Sequence, residues 1–132
     1  MSDSKAPART AEIGFKVALN ADQKPVSIEW SATDLPDASS KETKAIMLSV
    51  WNSEEKKAMR IDLWTEEMLV DEMKLFVFQT LVTMADTFER ATSDGAMANE
   101  IRSFAQQFAE KMGFVREDDV PPRPPRPLRP LR

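Results

Sequence analysis

Any chemistry in this 132-residue chain would depend on carboxylates and amines, because the sequence contains no cysteine, histidine or tyrosine. Their absence excludes disulfides, cysteine nucleophiles, the Ser-His-Asp triad and metal sites built on thiolate or imidazole. The three glycines are far apart, which excludes a glycine-rich phosphate loop. Adjacent acids occur as four pairs: Glu54 with Glu55, Glu66 with Glu67, Asp71 with Glu72, and Asp118 with Asp119.

Each acidic pair falls in a predicted loop or a predicted first helical turn, where solvated charge is the usual state. No other chemistry-bearing residue type converges on any of them. We therefore predict no enzymatic activity, no catalytic residues, no metal site and no cofactor.

The net charge of −4 conceals an uneven distribution along the chain. Residues 121–132 contain four arginines and no acid, so the preceding 120 residues hold 14 basic and 22 acidic residues, a net charge of −8. An acidic body of this kind argues against nucleic acid as a partner.

Composition predicts a soluble globular protein, with 42% hydrophobic and 30% charged residues. No run of 18 apolar residues occurs, and residues 1–10 lack the apolar core of a signal peptide. We expect a cytoplasmic protein with three parts: a disordered leader at 1–11, a single α+β domain at 12–115, and a disordered proline- and arginine-rich tail at 116–132.

The clearest pattern is a predicted hairpin, because residues 45–51 and 58–64 both alternate between apolar and polar side chains around a polar loop. Placing Trp51 opposite Ala58 pairs the apolar residues across the strands as a buried face: Val50 with Met59, Leu48 with Ile61, and Ile46 with Leu63. We call this set the inner face. The other side of the hairpin carries what we call the outer face: Met47, Trp51, Arg60, Asp62 and Trp64.

The outer face is the candidate partner-binding surface, since tryptophan and arginine dominate interface hot spots. The alternative is that the two tryptophans only cover the edge of the sheet or meet a neighbouring subunit.

The same alternation predicts two earlier strands, through Ile13, Phe15, Val17 and Leu19, and then through Val26, Ile28 and Trp30, with Pro25 at the first position of the second strand. Residues 34–43 read as a loop. A helix with two apolar stripes is predicted from Asp71 and Glu72 in its first turn to about Thr92. A second helix follows the N-cap Asp94 and ends at Gly113, with Phe114 folding back on its last turn.

The predicted fold class is therefore α+β: a four-stranded antiparallel β-meander followed by two helices packed on one face, in the order β-β-β-β-α-α. The second stripe of the first helix would contact the next helix or another subunit, so a homo-oligomer is one of the expected partners.

The tail from residue 121 reads PPRPPRPLRPLR, in which six of the twelve residues are proline. Such a segment favours polyproline II, and it contains three overlapping copies of P-x-x-P-x-R, the pattern that aromatic grooves with an acidic end recognise. The alternatives are a dispensable tail and peripheral membrane contact through arginines on anionic lipids. The motif residues are Pro121, Pro124, Arg126, Pro127, Arg129, Pro130 and Arg132.

Three segments, TKAIMLSVW, MRIDLWTEEMLVDEMK and ANEI, resemble the gliding motility-associated protein GldC family, and IGFKVAL and IEWSATD resemble its opening strands. The resemblance covers residues 12–112 and leaves out the tail. It implies a small cytoplasmic accessory of bacterial gliding motility that acts near membrane-anchored components of that machinery, with no enzymatic activity.

Two functions are consistent with these observations. The first is an adaptor that acts by protein–protein interaction. The alternative is a holdase chaperone for unfolded or export-bound polypeptides, since strands followed by two helices is similar in order to the bacterial export chaperone SecB.

Overall fold

The computed structural model describes residues 6–34 and 41–113 and contains five strands and two helices in that part of the chain. The strands lie in a unit that ends at Met68, and the helices lie in a second unit that begins at Leu69, so each unit is described by itself. The predicted α+β class with antiparallel strands and two helices is confirmed. The elements are β1 Ile13–Leu19, β2 Pro25–Ala32, β3 Lys41–Thr43, β4 Ala45–Asn52, β5 Lys57–Trp64, α1 Val70–Thr92 and α2 Gly95–Met112.

The prediction of one four-stranded meander is wrong, because the strands form two sheets, β1-β2-β3 and β4-β5. The residues Lys41–Thr43 were expected in a loop, but they pair antiparallel with Ile28–Trp30 as β3. The rest of that predicted loop, residues 35–40, lies outside the described part. The packing of the helices on one face of the sheet, and the single domain, stay predictions.

The chain changes sheets at Lys44, the single residue between β3 and β4. The Thr43 hydroxyl donates to the Ala45 carbonyl at 3.1 Å, and the Ala45 N–H donates to the same hydroxyl at 3.4 Å. The Lys44 carbonyl accepts from the Thr65 N–H at 2.9 Å, which begins the ladder of the second sheet. The Thr43 side chain therefore provides hydrogen-bond partners for the backbone where the chain bends. The bend lets the chain pass from the first sheet into the second.

The pairing of β1 with β2 confirms the predicted apolar alternation. Phe15 lies opposite Trp30 and Val17 lies opposite Ile28, which places these four side chains on one face. Ile28 is fully buried at the centre of this face.

An Asn20 turn joins β1 to β2. The Asn20 Oδ1 atom accepts from the N–H groups of Asp22 and Lys24 at 2.8 and 3.1 Å, and Gln23 takes a left-handed conformation with φ 63°. Pro25 then opens β2 at its first position, as predicted.

The register predicted for the second hairpin is confirmed, with Trp51 opposite Ala58 and Val50, Leu48 and Ile46 opposite their expected partners. Its turn is closed by Asn52, whose Oδ1 atom accepts from the N–H groups of Glu54 and Glu55 at 3.1 and 3.0 Å.

The burial predicted for the inner face holds at only one end of the hairpin. Ile46, Leu48 and Leu63 are half-buried, but Val50, Met59 and Ile61 are 53, 56 and 52% exposed. Burial is concentrated at the junction, at Ala45 and Thr65, and the turn end of a two-stranded ladder lies farthest from it.

Both helices begin and end where local chemistry predicts. The carboxylate of Glu72 accepts from the Leu69 N–H at 3.0 Å at the start of α1. Asp94 caps α2 by accepting from the Met97 N–H at 3.0 Å. Gly113 ends α2 with φ 93°, and its N–H donates to the Glu110 carbonyl at 3.1 Å. The predicted contact of Phe114 lies outside the described residues.

The two helices pack through Phe78 of α1 against Ala105 and Ala109 of α2. The bulkier apolar side chains of α2 are only partly buried, since Met97 and Phe104 are more than half exposed. The fully buried positions of α2 are alanines, because a small side chain lets the other helix approach closely.

An ion pair joins the same two helices at the surface. The Arg102 Nη2 atom lies 2.9 Å from Asp86 Oδ1 and 2.8 Å from Glu89 Oε1. Hydrogen bonds to these two carboxylates raise the pKa of the Arg102 guanidinium above its ordinary value.

A threonine stripe runs along α1. The hydroxyls of Thr80, Thr83 and Thr87 donate to the carbonyls four residues earlier, at 2.7, 3.1 and 3.2 Å. These polar side chains therefore complete their donor bonds within their own helix.

Replacing Asp94 by alanine should lower the free energy of unfolding by about 1 kcal/mol, because the Met97 N–H loses its acceptor. Urea denaturation followed by circular dichroism at 222 nm measures this loss. Asp22→Ala is a matched control, since no hydrogen bond or ion pair of the Asp22 side chain occurs among the described residues. Equal unfolding midpoints for the two variants would contradict the capping role.

Candidate interaction surface

Three of the four acidic pairs lie within the described residues: Glu54 with Glu55, Glu66 with Glu67, and Asp71 with Glu72. Within residues 6–34 and 41–113, no group of three or more carboxylates is arranged to hold a metal ion. Glu54, Glu55, Glu66 and Glu67 are exposed, and Glu72 is engaged in the cap of α1. The pair at residues 118–119 lies outside the described part of the chain.

The structure does bring the outer face together. In an antiparallel ladder, directly opposed residues share a face, and β4 and β5 place Met47 opposite Asp62 and Ser49 opposite Arg60. Ala45 opposes Trp64 and Trp51 opposes Ala58, so both tryptophans lie on that same face. Met47, Trp51, Arg60, Asp62 and Trp64 therefore share one face of the hairpin, and their role in binding a partner stays a prediction.

An ion pair stands at the centre of the outer face. Arg60 donates from Nη2 to Asp62 Oδ1 at 2.8 Å and from Nε to Asp62 Oδ2 at 3.3 Å. The side chains of Arg60 and Asp62 are 45 and 42% exposed. The hydrogen bonding and then the charge of Asp62 raise the pKa of Arg60 above its ordinary value. Two parallel bonds hold the planar guanidinium in one orientation.

The two tryptophans stand at opposite ends of the outer face. Trp51 is 62% exposed near the turn, and Trp64 is 55% exposed where β5 ends. Six residues of ladder separate their pairs, which is about 20 Å along an antiparallel strand. Large aromatic side chains that keep most of their surface in water are suited to burial against another molecule.

The outer face contains the residue types that are suited to recognition. The tryptophan rings supply apolar contact area at a low cost in rotamer entropy. The guanidinium of Arg60, held by Asp62, supplies hydrogen-bond donors in a fixed direction. Sequence reasoning identified this face from the alternation alone. It missed the exposure of Val50, Met59 and Ile61 on the inner face, because alternation shows which side chains share a face and does not show whether that face is covered.

A sequence model of a known family matches residues 25–114, which is 90 of the 132 residues of the chain. Its description is gliding motility-associated protein GldC-like. The chain belongs to this family. Comparison with curated proteins and with solved structures gave no match.

The match to the GldC-like family confirms the resemblance inferred from the sequence. The matched span contains the whole outer face and both helices, whereas β1 and the tail motifs lie outside it. Gliding motility is therefore the process with which the family associates this chain. The seven tail residues predicted as a motif, from Pro121 to Arg132, are outside the described residues.

Neither α1 nor α2 combines the length and the apolarity that a bilayer-crossing helix needs.

The outer-face tryptophans should contribute little to folding, because more than half of each side chain is in water. We expect Trp51→Ala and Trp64→Ala each to change the free energy of unfolding by no more than about 1 kcal/mol. Ile28→Ala, a truncation of a fully buried side chain, should cost about 2–5 kcal/mol. Urea denaturation of the three variants tests this, and a loss at either tryptophan as large as that at Ile28 would place the ring in the core.

Proposed function

We propose that this chain is a non-enzymatic adaptor of bacterial gliding motility, which binds a protein partner through the outer face of the β4–β5 hairpin. The observation that carries the proposal is the presence of two exposed tryptophans on either side of a bidentate ion pair, all on one face.

The arrangement favours tight recognition over a weak surface contact. Asp62 already orients the Arg60 side chain. A partner that accepts a hydrogen bond from Arg60 would therefore cost little further rotamer entropy on binding. Trp51 and Trp64 can each fill a pocket, and their separation of about 20 Å along the ladder suits the dimensions of an ordinary protein–protein interface.

The family supports the biological setting of the proposal. Association with gliding motility is the description of the GldC-like family. We place the chain in the cytoplasm, and its partner is a component of the gliding machinery that is anchored in the membrane.

Self-association belongs to the same proposal. On the helical unit, Met84, Met97 and Phe104 are 47, 52 and 55% exposed. Apolar side chains of this size would be covered by a second copy of the chain.

A holdase chaperone is the second candidate, and one observation favours it. Val50, Met59 and Ile61 present exposed apolar surface on the inner face, which is the kind of surface that binds unfolded segments without strict sequence preference.

Affinity capture with two matched variants separates these functions. Trp51→Ser with Trp64→Ser removes the aromatic anchors of the outer face, and Met59→Ser with Ile61→Ser removes a similar number of exposed apolar side chains from the inner face. Each lost anchor should weaken binding of the captured partner by about 30-fold or more. The inner-face variant should keep its affinity, as measured by biolayer interferometry with the partner identified by mass spectrometry.

The opposite pattern would contradict the adaptor proposal. If the outer-face variant binds its partner as well as the wild type does, the tryptophans are not the anchors. If the wild type suppresses aggregation of unrelated unfolded proteins and the inner-face variant does not, the holdase function is the correct one.

A further inference from the structure

A groove opens beside Trp64, where the start of β2 approaches the end of β5 within the strand unit. Its volume is about 510 Å³, which lies within the range of small-molecule and cofactor sites, ~300–1,000 Å³. We call it the Trp64 groove. Its lining includes Lys24, Pro25, Asp62, Trp64, Glu66 and Met68.

Part of the wall of the Trp64 groove is apolar, and hydrogen bonds hold the backbone on both sides of it. Trp64 contributes a ring that is 55% exposed, and Pro25 and Met68 are half-buried beside it. Thr65 is only 4% exposed, and its N–H is bound to the Lys44 carbonyl. The Asn20 turn holds Lys24 and Pro25 in place through the bond to the Lys24 N–H at 3.1 Å.

Two carboxylates accompany these apolar walls. Glu66 is exposed, and its side chain has no hydrogen bond or ion pair within residues 6–34 and 41–113. Asp62 is bonded to Arg60 through both oxygens, but each carboxylate oxygen has a second lone pair for a further donor. Lys24 is the basic residue of the lining, so the acids outnumber the base.

This combination matches one ligand chemistry. A peptide in polyproline II conformation is recognised when its prolines lie against aromatic and apolar walls and its arginine pairs with an acid at the end of the groove. The chain itself supplies such a peptide, since residues 121–132 carry P-x-x-P-x-R three times with four arginines and no acid.

We propose that the Trp64 groove is a binding site for a cationic proline-rich peptide and that its occupant is the tail of this chain, residues 121–132. Charge complementarity favours the tail as the occupant. The tail is basic, and the other 120 residues of the chain have a net charge of −8. The tail is also long, since the twenty residues after Met112 span up to about 65 Å when extended. The proposal does not depend on the adaptor function, and its test needs no motility partner. Because Asp62 and Trp64 also belong to the outer face, a docked tail would compete with a partner for that end of the hairpin.

The test uses the full-length chain and the indole N–H signals of Trp30, Trp51 and Trp64 in a ¹H–¹⁵N correlation spectrum. A tail variant carries Arg123→Ala, Arg126→Ala, Arg129→Ala and Arg132→Ala. Between the wild type and the tail variant, the Trp64 signal should move and the Trp51 signal should not. Trp51 is the internal control, because it lies on the same face about 20 Å along the ladder.

A synthetic peptide of residues 120–132, titrated into the tail variant, should shift the Trp64 signal back toward its wild-type position with saturation. A scrambled peptide of the same composition should shift it much less. Glu66→Lys in the tail variant should weaken binding of the native peptide by about tenfold in 50 mM salt, whereas Glu54→Lys, the same change in the distant turn, should leave binding unaltered.

Three results would overturn the proposal. The first is a Trp64 signal that is identical in the wild type and the tail variant and does not respond to the peptide. The second is an equal response to native and scrambled peptides, which would show charge attraction without recognition. The third is sedimentation of the wild type, but not the tail variant, with phosphatidylserine vesicles while Trp64 stays unmoved, which would assign the tail to a lipid surface.

Discussion

The register of β4 on β5 is the constraint on which the functional surfaces depend. Side chains on a strand alternate between faces, so a shift of one residue would exchange every side chain of one strand between the two faces. The pairing of Trp51 with Ala58 therefore decides that both tryptophans share a face with the Arg60–Asp62 ion pair. The Asn52 turn fixes that pairing, because the side-chain oxygen of Asn52 accepts hydrogen bonds from the N–H groups of Glu54 and Glu55.

Features that depend on neighbours in the sequence could be predicted. Strict alternation gave the hairpin register, and the caps at Asp94 and Gly113 gave the limits of α2 to within a residue. Each of these rests on contacts between residues that are close in the chain, where residue type determines backbone geometry almost alone.

Features that depend on distant segments could not be predicted. The strand Lys41–Thr43 contains no apolar residue, and it exists because Ile28–Trp30 offers an edge to pair with. The exposure of Ile61 depends on whether another part of the chain covers its face, which no local pattern shows. The Trp64 groove needs the start of β2 to meet the end of β5, a contact across some forty residues of sequence.

The threonine stripe of α1 has a consequence for how that helix can be used. Because the hydroxyls of Thr80, Thr83 and Thr87 already bond to backbone carbonyls, few water-mediated bonds are broken when a nonpolar surface covers them. A nonpolar surface can thus cover this side of α1 without any change in the hydrogen bonds that the three threonine hydroxyls donate. Contact on that side would be registered in calorimetry mainly as a fall in heat capacity, the mark of methyl groups leaving water.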